Sequence, residues 1–179
     1  MDHGDHVALI RNGVTGSGPD WADIGAGSGA FTLALADLLG DDARITAVDR
    51  DEAALAENAH AVAERFPEAS LTTLVGDLEG PLDLPPLDGL LAANSLHFVA
   101  RERQASVIAT LAGHLRPGAP FIVVEYDADR GNPWVPHPFS FETWVRQATE
   151  AGFADVRLLH RVPSRFLGAI YGALATRPG

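Results

Sequence analysis

The stretch Asp23-Ile24-Gly25-Ala26-Gly27-Ser28-Gly29-Ala30 (DIGAGSGA, residues 23–30) lies between a short apolar segment and a longer helical one. Glycines at alternate positions in such a place are typical of a turn that lets a nucleotide approach the backbone. The stretch satisfies two motifs at once: G-x-G-x-x-G/A, with Ala30 in the third place, and D-x-G-x-G-x-G, which begins at Asp23. The choice of ligand class therefore depends on the rest of the chain.

Length and composition limit the class of protein. The 179 residues predict one domain, residues 1–179, without a separate substrate domain. With a net charge of −11, no basic surface is expected for nucleic acid, and we find no leader segment and no apolar stretch long enough to span a bilayer. We therefore expect a cytoplasmic protein, monomer or homodimer, without nucleic-acid or membrane partners. The chain has no Cys, and all 13 basic residues are Arg, which excludes thiol and Schiff-base chemistry.

Apolar runs alternate with helical patterns along the chain. Helices are predicted at the N-terminus (3–13, polar) and between most of the strands, but not in 77–89 (DLEGPLDLPPLDG), which holds too many Pro and Gly. The last two strand-like segments, 154–166 and 167–177, follow each other without a helix. The predicted strands are 21–24, 44–48, 71–75, 88–93 and 120–124, and the predicted helices are 31–39, 51–67, a third carrying Val107, Leu111 and Leu115, and 140–152.

This alternation predicts an α/β fold. Strands alternating with helices indicate a doubly wound, mostly parallel sheet with helices on both faces. The two final segments predict an antiparallel C-terminal hairpin at one end of that sheet.

Asp49 closes the second predicted strand, about 20 residues after the glycine turn. A carboxylate at this place lies beside a ribose, in both dinucleotide and S-adenosylmethionine sites. The alternative is that Asp49 only caps the following helix, a role that Asp51 fills equally well. We favour ribose binding.

Three features favour S-adenosylmethionine over a dinucleotide. Asp23 lies inside the first strand, where burying a carboxylate requires a partner such as a ligand ammonium. The segment 75–80 (VGDLEG) offers Asp77 and Leu78 near an adenine, although an Asp in a turn is common. The segment 93–99 (ANSLHFV) places a polar cluster at the carboxyl end of the fourth strand, the edge at which open α/β sheets bind ligands.

The ordered set of motifs resembles the class I S-adenosylmethionine-dependent methyltransferases, from about Trp21 to Arg177. The segment NSLH (94–97) differs from the N/D-P-P-Y/F motif of amino methyltransferases that act on bases. The motifs that carry the resemblance are WADIGAGSGAFTLALA (21–36), ITAVDRD (45–51), VGDLEG (75–80), LDGLLAANSLHFV (87–99), LRPGAPFIVVEYD (115–127), EAGFADV (150–156) and the closing hairpin.

The resemblance implies a site for the cofactor S-adenosylmethionine. It implies that the glycines admit the methionine part and ribose, that Asp23 faces the amino group, and that Asp49 binds the ribose hydroxyls. It also places Asp77 at the adenine amino group and Leu78 at the ring, with the backbone near Asn94 at the methionyl end. The residues expected to bind the cofactor are Asp23, Gly25, Ala26, Gly27, Gly29, Asp49, Arg50, Gly76, Asp77, Leu78, Asn94 and Ser95.

The acceptor is expected to be a small molecule. A general base is needed only for a hydroxyl acceptor, and His97 is then the best candidate, with a structural hydrogen bond as the alternative role. The irregular segment 125–139 is expected to cover the acceptor, with Trp134 and Tyr126 as substrate-binding residues and His137 as a second candidate base. Its acids, Glu125, Asp127 and Asp129, form either a negative rim or a solvated connector, and we favour the connector.

Other functions stay open. An NAD(P)-binding oxidoreductase would share Gly25, Gly27 and Asp49 but would leave Asp23 and the terminal hairpin unexplained. A non-catalytic binding module would keep the fold and lose the pocket. His3 and His6 lie near two acids at the N-terminus, but no further ligands accompany them, and no metal site is expected.

Overall fold

Seven strands and five α-helices make up the chain, and a computed structural model describes all of its residues, 1–179. Short 3-10 turns cover Gly40–Asp42 and Leu96–Phe98. The strands are β1 (Asp20–Ile24), β2 (Arg44–Asp49), β3 (Ser70–Val75), β4 (Gly89–Ala93), β5 (Pro120–Tyr126), β6 (Ala154–Ser164) and β7 (Gly168–Thr176). The helices are α1 (His3–Val14), α2 (Ala30–Leu39), α3 (Glu52–Arg65), α4 (Arg101–Ala112) and α5 (Phe141–Glu150).

All seven strands form one sheet in the order β3-β2-β1-β4-β5-β7-β6. The first five strands are parallel, and β7 runs antiparallel to both β5 and β6. The predicted α/β fold and its C-terminal hairpin are confirmed. The strands β2 and β3 follow β1 on one side, and β4 pairs with the other side of β1. Because the strand order reverses between β1 and β4, a crevice opens there at their carboxyl ends.

Capping side chains set several helix boundaries. Asp51 accepts hydrogen bonds from the first backbone N–H groups of α3, and Ser140 accepts one from Thr143 at the start of α5. The predicted third helix, α4, begins at Arg101 and ends at Ala112, so Leu115 lies beyond it. Leu115 is nevertheless buried, because its segment pairs with Leu87.

Apolar side chains cover both faces of the sheet. One layer packs α4 and α5 around Phe121 and Trp144, and the other packs α1 and α2 around Trp21. Every residue of β4 is buried, as expected for a central parallel strand. The prediction of a polar N-terminal helix is wrong, because α1 is amphipathic and buries Leu9 and Ile10 against the sheet.

The segment between β3 and β4 contains no helix, as predicted. Its leucines Leu78, Leu82 and Leu84 are partly buried against the core in place of helical side chains. This irregular segment also forms one wall of the crevice described below. None of the helices is both long and apolar enough to span a lipid bilayer.

Substituting Gly172 tests the contact between the first helix and the seventh strand. A methyl group at Gly172 would meet the carbonyl oxygen of Leu9, so Gly172→Ala should lower the free energy of unfolding by about 1–3 kcal/mol. Gly4→Ala, on the exposed side of the same helix, should leave it unchanged or raise it by up to about 1 kcal/mol. Urea denaturation measures the free energy of unfolding of both variants. Equal stability of the two variants would contradict the close contact between Gly172 and Leu9.

Candidate active site

A cleft of about 300 Å³ opens at the carboxyl ends of β1 to β4. Eight of the twelve predicted cofactor residues lie on its wall, and five further residues complete the lining. The predicted residues on the wall are Gly25, Asp49, Arg50, Gly76, Asp77, Leu78, Asn94 and Ser95, and the additional ones are Val48, Asp51, Glu79, Phe98 and Val99. The four predicted residues that do not line the cleft, Asp23, Ala26, Gly27 and Gly29, lie in β1 or in the glycine turn.

Each glycine of the turn adopts a backbone conformation that other residues avoid. The φ angles of Gly25, Gly27 and Gly29 are 74°, 51° and 97°. A Cβ atom on Gly25 would collide with Ser95, and one on Gly29 would collide with Asn58. At Gly27 no atom lies within 4 Å of such a position, so the middle glycine borders open space.

Asp49 connects the glycine turn to the end of β2. Its Oδ2 accepts a hydrogen bond from the Gly27 N–H at 2.8 Å, and its Oδ1 accepts one from the Asp51 N–H at 2.9 Å. Each carboxylate oxygen has a second lone pair, so the side chain can still accept from a pair of hydroxyl groups. Asp51, rather than Asp49, accepts hydrogen bonds from the N–H groups of α3, which removes the main alternative role of Asp49.

Asp23 is buried behind the turn and has a partner within the protein. Its Oδ2 accepts a hydrogen bond from the Thr32 hydroxyl at 2.7 Å, and Thr32 Oγ1 accepts one from the Asn58 amide at 2.8 Å. The partner that the burial of Asp23 requires is therefore supplied by Thr32, and a ligand ammonium is not needed for it. The pKa of Asp23 is raised to about 7, mainly because the side chain is buried. The Thr32 hydrogen bond opposes this rise, and the charge of Asp49 adds to it.

Asp77 combines a turn role with a place on the cleft wall. Its Oδ1 accepts a hydrogen bond from the Glu79 N–H at 2.9 Å, which is the turn role considered as an alternative. Leu78 lies next to it on the same wall. An ion pair of 2.7 Å between Glu79 and Arg103 holds this segment against α4.

Asn94 has a buried acceptor atom without a partner. Its φ angle of 52° lies in the left-handed region, and its N–H donates to the Val124 carbonyl at 2.8 Å. The side-chain Oδ1 accepts no hydrogen bond from the protein, although the residue lines the cleft. Buried polar atoms are rarely unsatisfied, so this oxygen suits a ligand donor. The neighbouring Ser95 donates its hydroxyl to the Ile24 carbonyl and holds β4 against β1.

His97 and Glu125 form a buried pair beside the cleft. His97 lies in the 3-10 turn after β4, and its Nδ1 is 3.0 Å from both carboxylate oxygens of Glu125. Glu125 also accepts the Tyr126 N–H at 2.7 Å. Burial raises the pKa of Glu125, and the partner His97 opposes that shift.

The three acids of the segment 125–139 do not form a negative rim, the alternative that the sequence analysis did not favour. Glu125 is buried in β5, Asp127 accepts from the Phe141 N–H and pairs with Arg161, and Asp129 accepts from the N–H and hydroxyl of Ser140. Asp127 and Asp129 therefore stabilise the start of α5, which agrees with the connector role. The sequence analysis did not predict that Glu125 pairs with His97. A charged residue inside the apolar run PFIVVEY is a signal that could have indicated a buried partner.

The segment between β5 and α5 forms a loop with a closed neck. Arg101 donates to the carbonyls of Asp129 and Pro138, which joins the two ends of the loop. Trp134 lies at its tip with 76% of its surface exposed. The His137 backbone contacts His97, while its imidazole makes no hydrogen bond to the protein. The structure does not place His97, His137, Trp134 or Tyr126 on the cleft wall, and His97 is buried.

The N-terminal histidines serve structural contacts. His3 contacts Asp37 at 3.0 Å, and His6 lies against the ring of Phe31. Asp2 and Asp5 cap α1 reciprocally. No group of three or more His, Asp or Glu side chains is arranged to hold a metal ion.

Comparison with known proteins identifies the family. Residues 22–118 match the family described as a methyltransferase domain. Since this match includes more than half of the chain, the protein belongs to the methyltransferase-domain family. No curated protein matches the sequence.

Solved structures share the fold at low sequence identity. The S-adenosylmethionine-dependent methyltransferase SibL, in its apo form, matches with a TM-score of 0.75 and 22% identity over 97% of this chain and 54% of its own. A putative O-methyltransferase from Nostoc punctiforme PCC 73102 matches with a TM-score of 0.79 and 19% identity, over 97% of this chain and 56% of its own. This chain thus spans about half the length of these two proteins.

A third match covers most of both chains. The N-methyltransferase NodS from Bradyrhizobium japonicum WM9, in complex with S-adenosyl-L-homocysteine, has a TM-score of 0.77 and 19% identity over 98% of this chain and 87% of its own. The methyltransferase fold predicted from the ordered motifs is confirmed.

The burial of Asp23 predicts a pH-dependent stability. Its pKa is about 7 when folded and 3.8 ordinarily, so between these values the folded carboxyl keeps a proton that the unfolded one has released. The resulting stabilisation is complete below pH 3.8 and is lost as the pH rises through 7. Asp23→Asn should abolish this loss. Between pH 4 and pH 8, the free energy of unfolding of the variant should therefore rise by about 2–4 kcal/mol relative to that of the wild type.

Urea denaturation from pH 4 to pH 8 measures this difference. Asparagine can still accept the Thr32 hydrogen bond, so the variant should fold. Asp41→Asn, at an exposed carboxylate, serves as the matched control and should follow the wild-type profile. Parallel profiles for Asp23→Asn and the wild type would contradict the assignment.

Proposed function

We propose that the protein is a methyltransferase that uses S-adenosylmethionine and acts on a small-molecule acceptor. The observation that carries the proposal is the clustering of the predicted cofactor residues on one cleft wall at the switch point of the sheet. A dinucleotide oxidoreductase is disfavoured because the chain belongs to the methyltransferase-domain family. A non-catalytic module is disfavoured by the retained cleft.

The nucleoside half of the cofactor would bind along the part of the wall formed by the ends of β2 and β3. Asp49 would bind the ribose hydroxyls, Asp77 the adenine amino group, and Leu78 the ring. Arg50 and Gly76 flank these positions on the same wall.

The methionyl half would bind near the glycine turn and the end of β4. The open space at Gly27 allows a ligand to approach the turn, and the unsatisfied Oδ1 of Asn94 would accept from its ammonium group. Ala26, Gly29 and Ser95 hold the backbone that borders this position. Asp23 would act from behind the turn, because a cation nearby favours its carboxylate form.

The protein's part in the reaction is mainly alignment. When bound, S-adenosylmethionine supplies a methyl group on a positively charged sulfur. The acceptor must approach that carbon in line, and the cleft residues fix the direction of approach. Carboxylates near a cation stabilise it electrostatically, so Asp23 and Asp49 also favour the charged ligand over a neutral one.

The acceptor would bind beside His97. Phe98 lines the cleft and exposes much of its ring, and the ring of Tyr126 lies 6.0 Å from that of His97. We place Tyr126 and Trp134 in the acceptor site, with His97 and His137 as the candidate bases. The solved relatives include a protein named an N-methyltransferase and one named a putative O-methyltransferase, so the fold alone does not select the acceptor atom.

We propose that residues 1–179 act as one domain, in the cytoplasm, as a monomer or homodimer without nucleic-acid or membrane partners. The net charge of −11 supports the exclusion of nucleic acid.

Asp49→Asn tests the cofactor assignment. The substitution removes the charge that strengthens hydrogen bonds to two hydroxyls, so the dissociation constant for S-adenosylhomocysteine should rise about 10- to 100-fold. Isothermal titration calorimetry measures it, and NAD(H) should produce no heat of binding. Asp42→Asn, at an exposed acid outside the cleft, should bind like the wild type. Unchanged affinity in Asp49→Asn would refute the ribose assignment.

Trp134→Ala tests the acceptor loop. If the exposed ring covers the acceptor, kcat/KM for that acceptor should fall about tenfold or more, while the affinity for S-adenosylhomocysteine stays within twofold. Trp134→Phe should restore most of the activity because it keeps an aromatic surface. Equal losses of turnover and cofactor affinity, or no loss of either, would show that the loop is not part of the acceptor site.

A further inference from the structure

A buried amide side chain lies between the cofactor cleft and the acceptor loop, residues 129–138. Gln104, in the first turn of α4, is 0% exposed. Its Nε2 lies 2.8 Å from the carbonyl oxygen of His137 and 3.3 Å from those of Leu96 and Val99. His137 belongs to the acceptor loop, and Val99 lines the cleft. One side chain therefore contacts both parts of the candidate active site.

The surroundings of Gln104 determine which way its amide points. Carbonyl oxygens only accept hydrogen bonds, so the atom among the three carbonyls is the amide nitrogen, which has two hydrogens to donate. The amide oxygen, Oε1, accepts a hydrogen bond from the Gln147 amide of α5 at 3.0 Å. Both ends of the amide are thus occupied, and the side chain is held in one orientation.

Both ends of the acceptor loop are anchored close to Gln104. Arg101, at the start of α4, donates to the carbonyls of Asp129 and Pro138 at 2.8 and 3.0 Å. The His137 N–H donates to the His97 carbonyl at 3.0 Å. The loop is therefore attached to the first turn of α4 and to the 3-10 turn that precedes it.

The tip of the acceptor loop is closed by its own hydrogen bonds. Asn132 Oδ1 accepts from the N–H groups of Trp134 and Val135, both at 2.9 Å, and the backbones of Asn132 and Val135 form a bridge. A Cβ atom on Gly131 would collide with the carbonyl oxygens of Val135 and Pro136. Because the tip is compact, the position of the Trp134 ring depends on how the ends of the loop are anchored.

The other two partners of Gln104 belong to a segment that borders the cleft. Leu96 and Val99 flank the 3-10 turn after β4, and Phe98 and Val99 line the cleft. Phe98 is 56% exposed, so a ligand in the cleft would cover part of its ring and restrain this segment. A restraint on the segment also restrains the Gln104 amide and, through that amide, His137.

We propose that Gln104 is a positioning residue that couples the acceptor loop to the cofactor cleft. Its amide holds the end of the loop against the segment that lines the cleft. A ligand in the cleft therefore reduces the opening of the loop and of the aromatic ring at its tip. This inference rests on the proposed function and specifies how the cofactor and acceptor parts of the site are joined.

A purely structural role for Gln104 makes a different prediction. If Gln104 only stabilised the packing of α4 on α5, its bond to Gln147 would matter most, and loss of either amide would have the same effect. Coupling depends instead on the donated hydrogen bonds of Gln104 Nε2. Gln104→Met removes these donors and keeps an unbranched side chain, whereas the matched control Gln147→Met leaves them in place.

Hydrogen exchange measured by mass spectrometry tests the coupling. In the wild type, S-adenosylhomocysteine should slow amide exchange in residues 129–138 about three- to tenfold, although none of these residues lines the cleft. In Gln104→Met without ligand, exchange in this segment should be about three- to tenfold faster than in the wild type. S-adenosylhomocysteine should no longer slow it in that variant, and Gln147→Met should keep the wild-type response.

Isothermal titration calorimetry with S-adenosylhomocysteine separates this inference from the proposed function. Both variants should bind it within about threefold of the wild-type affinity, since neither side chain lines the cleft. If the wild type does not bind it, the proposed function is refuted. The comparison of ligand-free proteins still decides in that case whether Gln104 anchors the loop.

Three outcomes would overturn the coupling. They are a wild-type loop that does not respond to bound S-adenosylhomocysteine, a Gln104→Met loop that responds like the wild type, and an equal loss of the response in both variants. Circular dichroism shows whether Gln104→Met is folded. If it is not, Gln104→Asn takes its place with the same expected result, because its amide is one methylene shorter and does not reach His137.

Discussion

The hydrogen bond from the Gly27 N–H to Asp49 holds the site together. It joins the turn after β1 to the end of β2, so two strand ends are fixed relative to each other before any ligand binds. The turn follows this path because its three glycines accept positive φ angles. A ligand that contacts both the turn and Asp49 therefore meets a preorganised surface, which reduces the entropy lost on binding.

The site is built at some cost to stability. Asp23 in β1 and Glu125 in β5 are buried acids, and burial raises the pKa of both. Burying such groups is unfavourable even when they are hydrogen-bonded. The large apolar layers on both faces of the sheet offset this cost. Both acids are near the carboxyl edge of the sheet, where the cleft also lies.

The sequence predicted the fold because its evidence is local. Apolar runs, caps such as Asp51 and glycines at positive φ depend on a few neighbouring residues, and their order predicted the sheet. The partners of Asp23 and Glu125 depend instead on distant residues. The Thr32 hydroxyl reaches Asp23 only after α2 has packed on the sheet, and His97 reaches Glu125 only when β4 and β5 pair in register. A pattern along the chain does not encode these distances.

The close approach of Gly172 to Leu9 has a consequence for how the molecule assembles. The first helix packs on a strand near the other end of the described chain, and the seventh strand in turn lies between β5 and β6. At ribosomal speeds of about 5–20 residues per second, Leu9 is made roughly ten to thirty seconds before Gly172. During that time α1 can pack against α2, but the part of its apolar side that contacts the last two strands stays without its final partner.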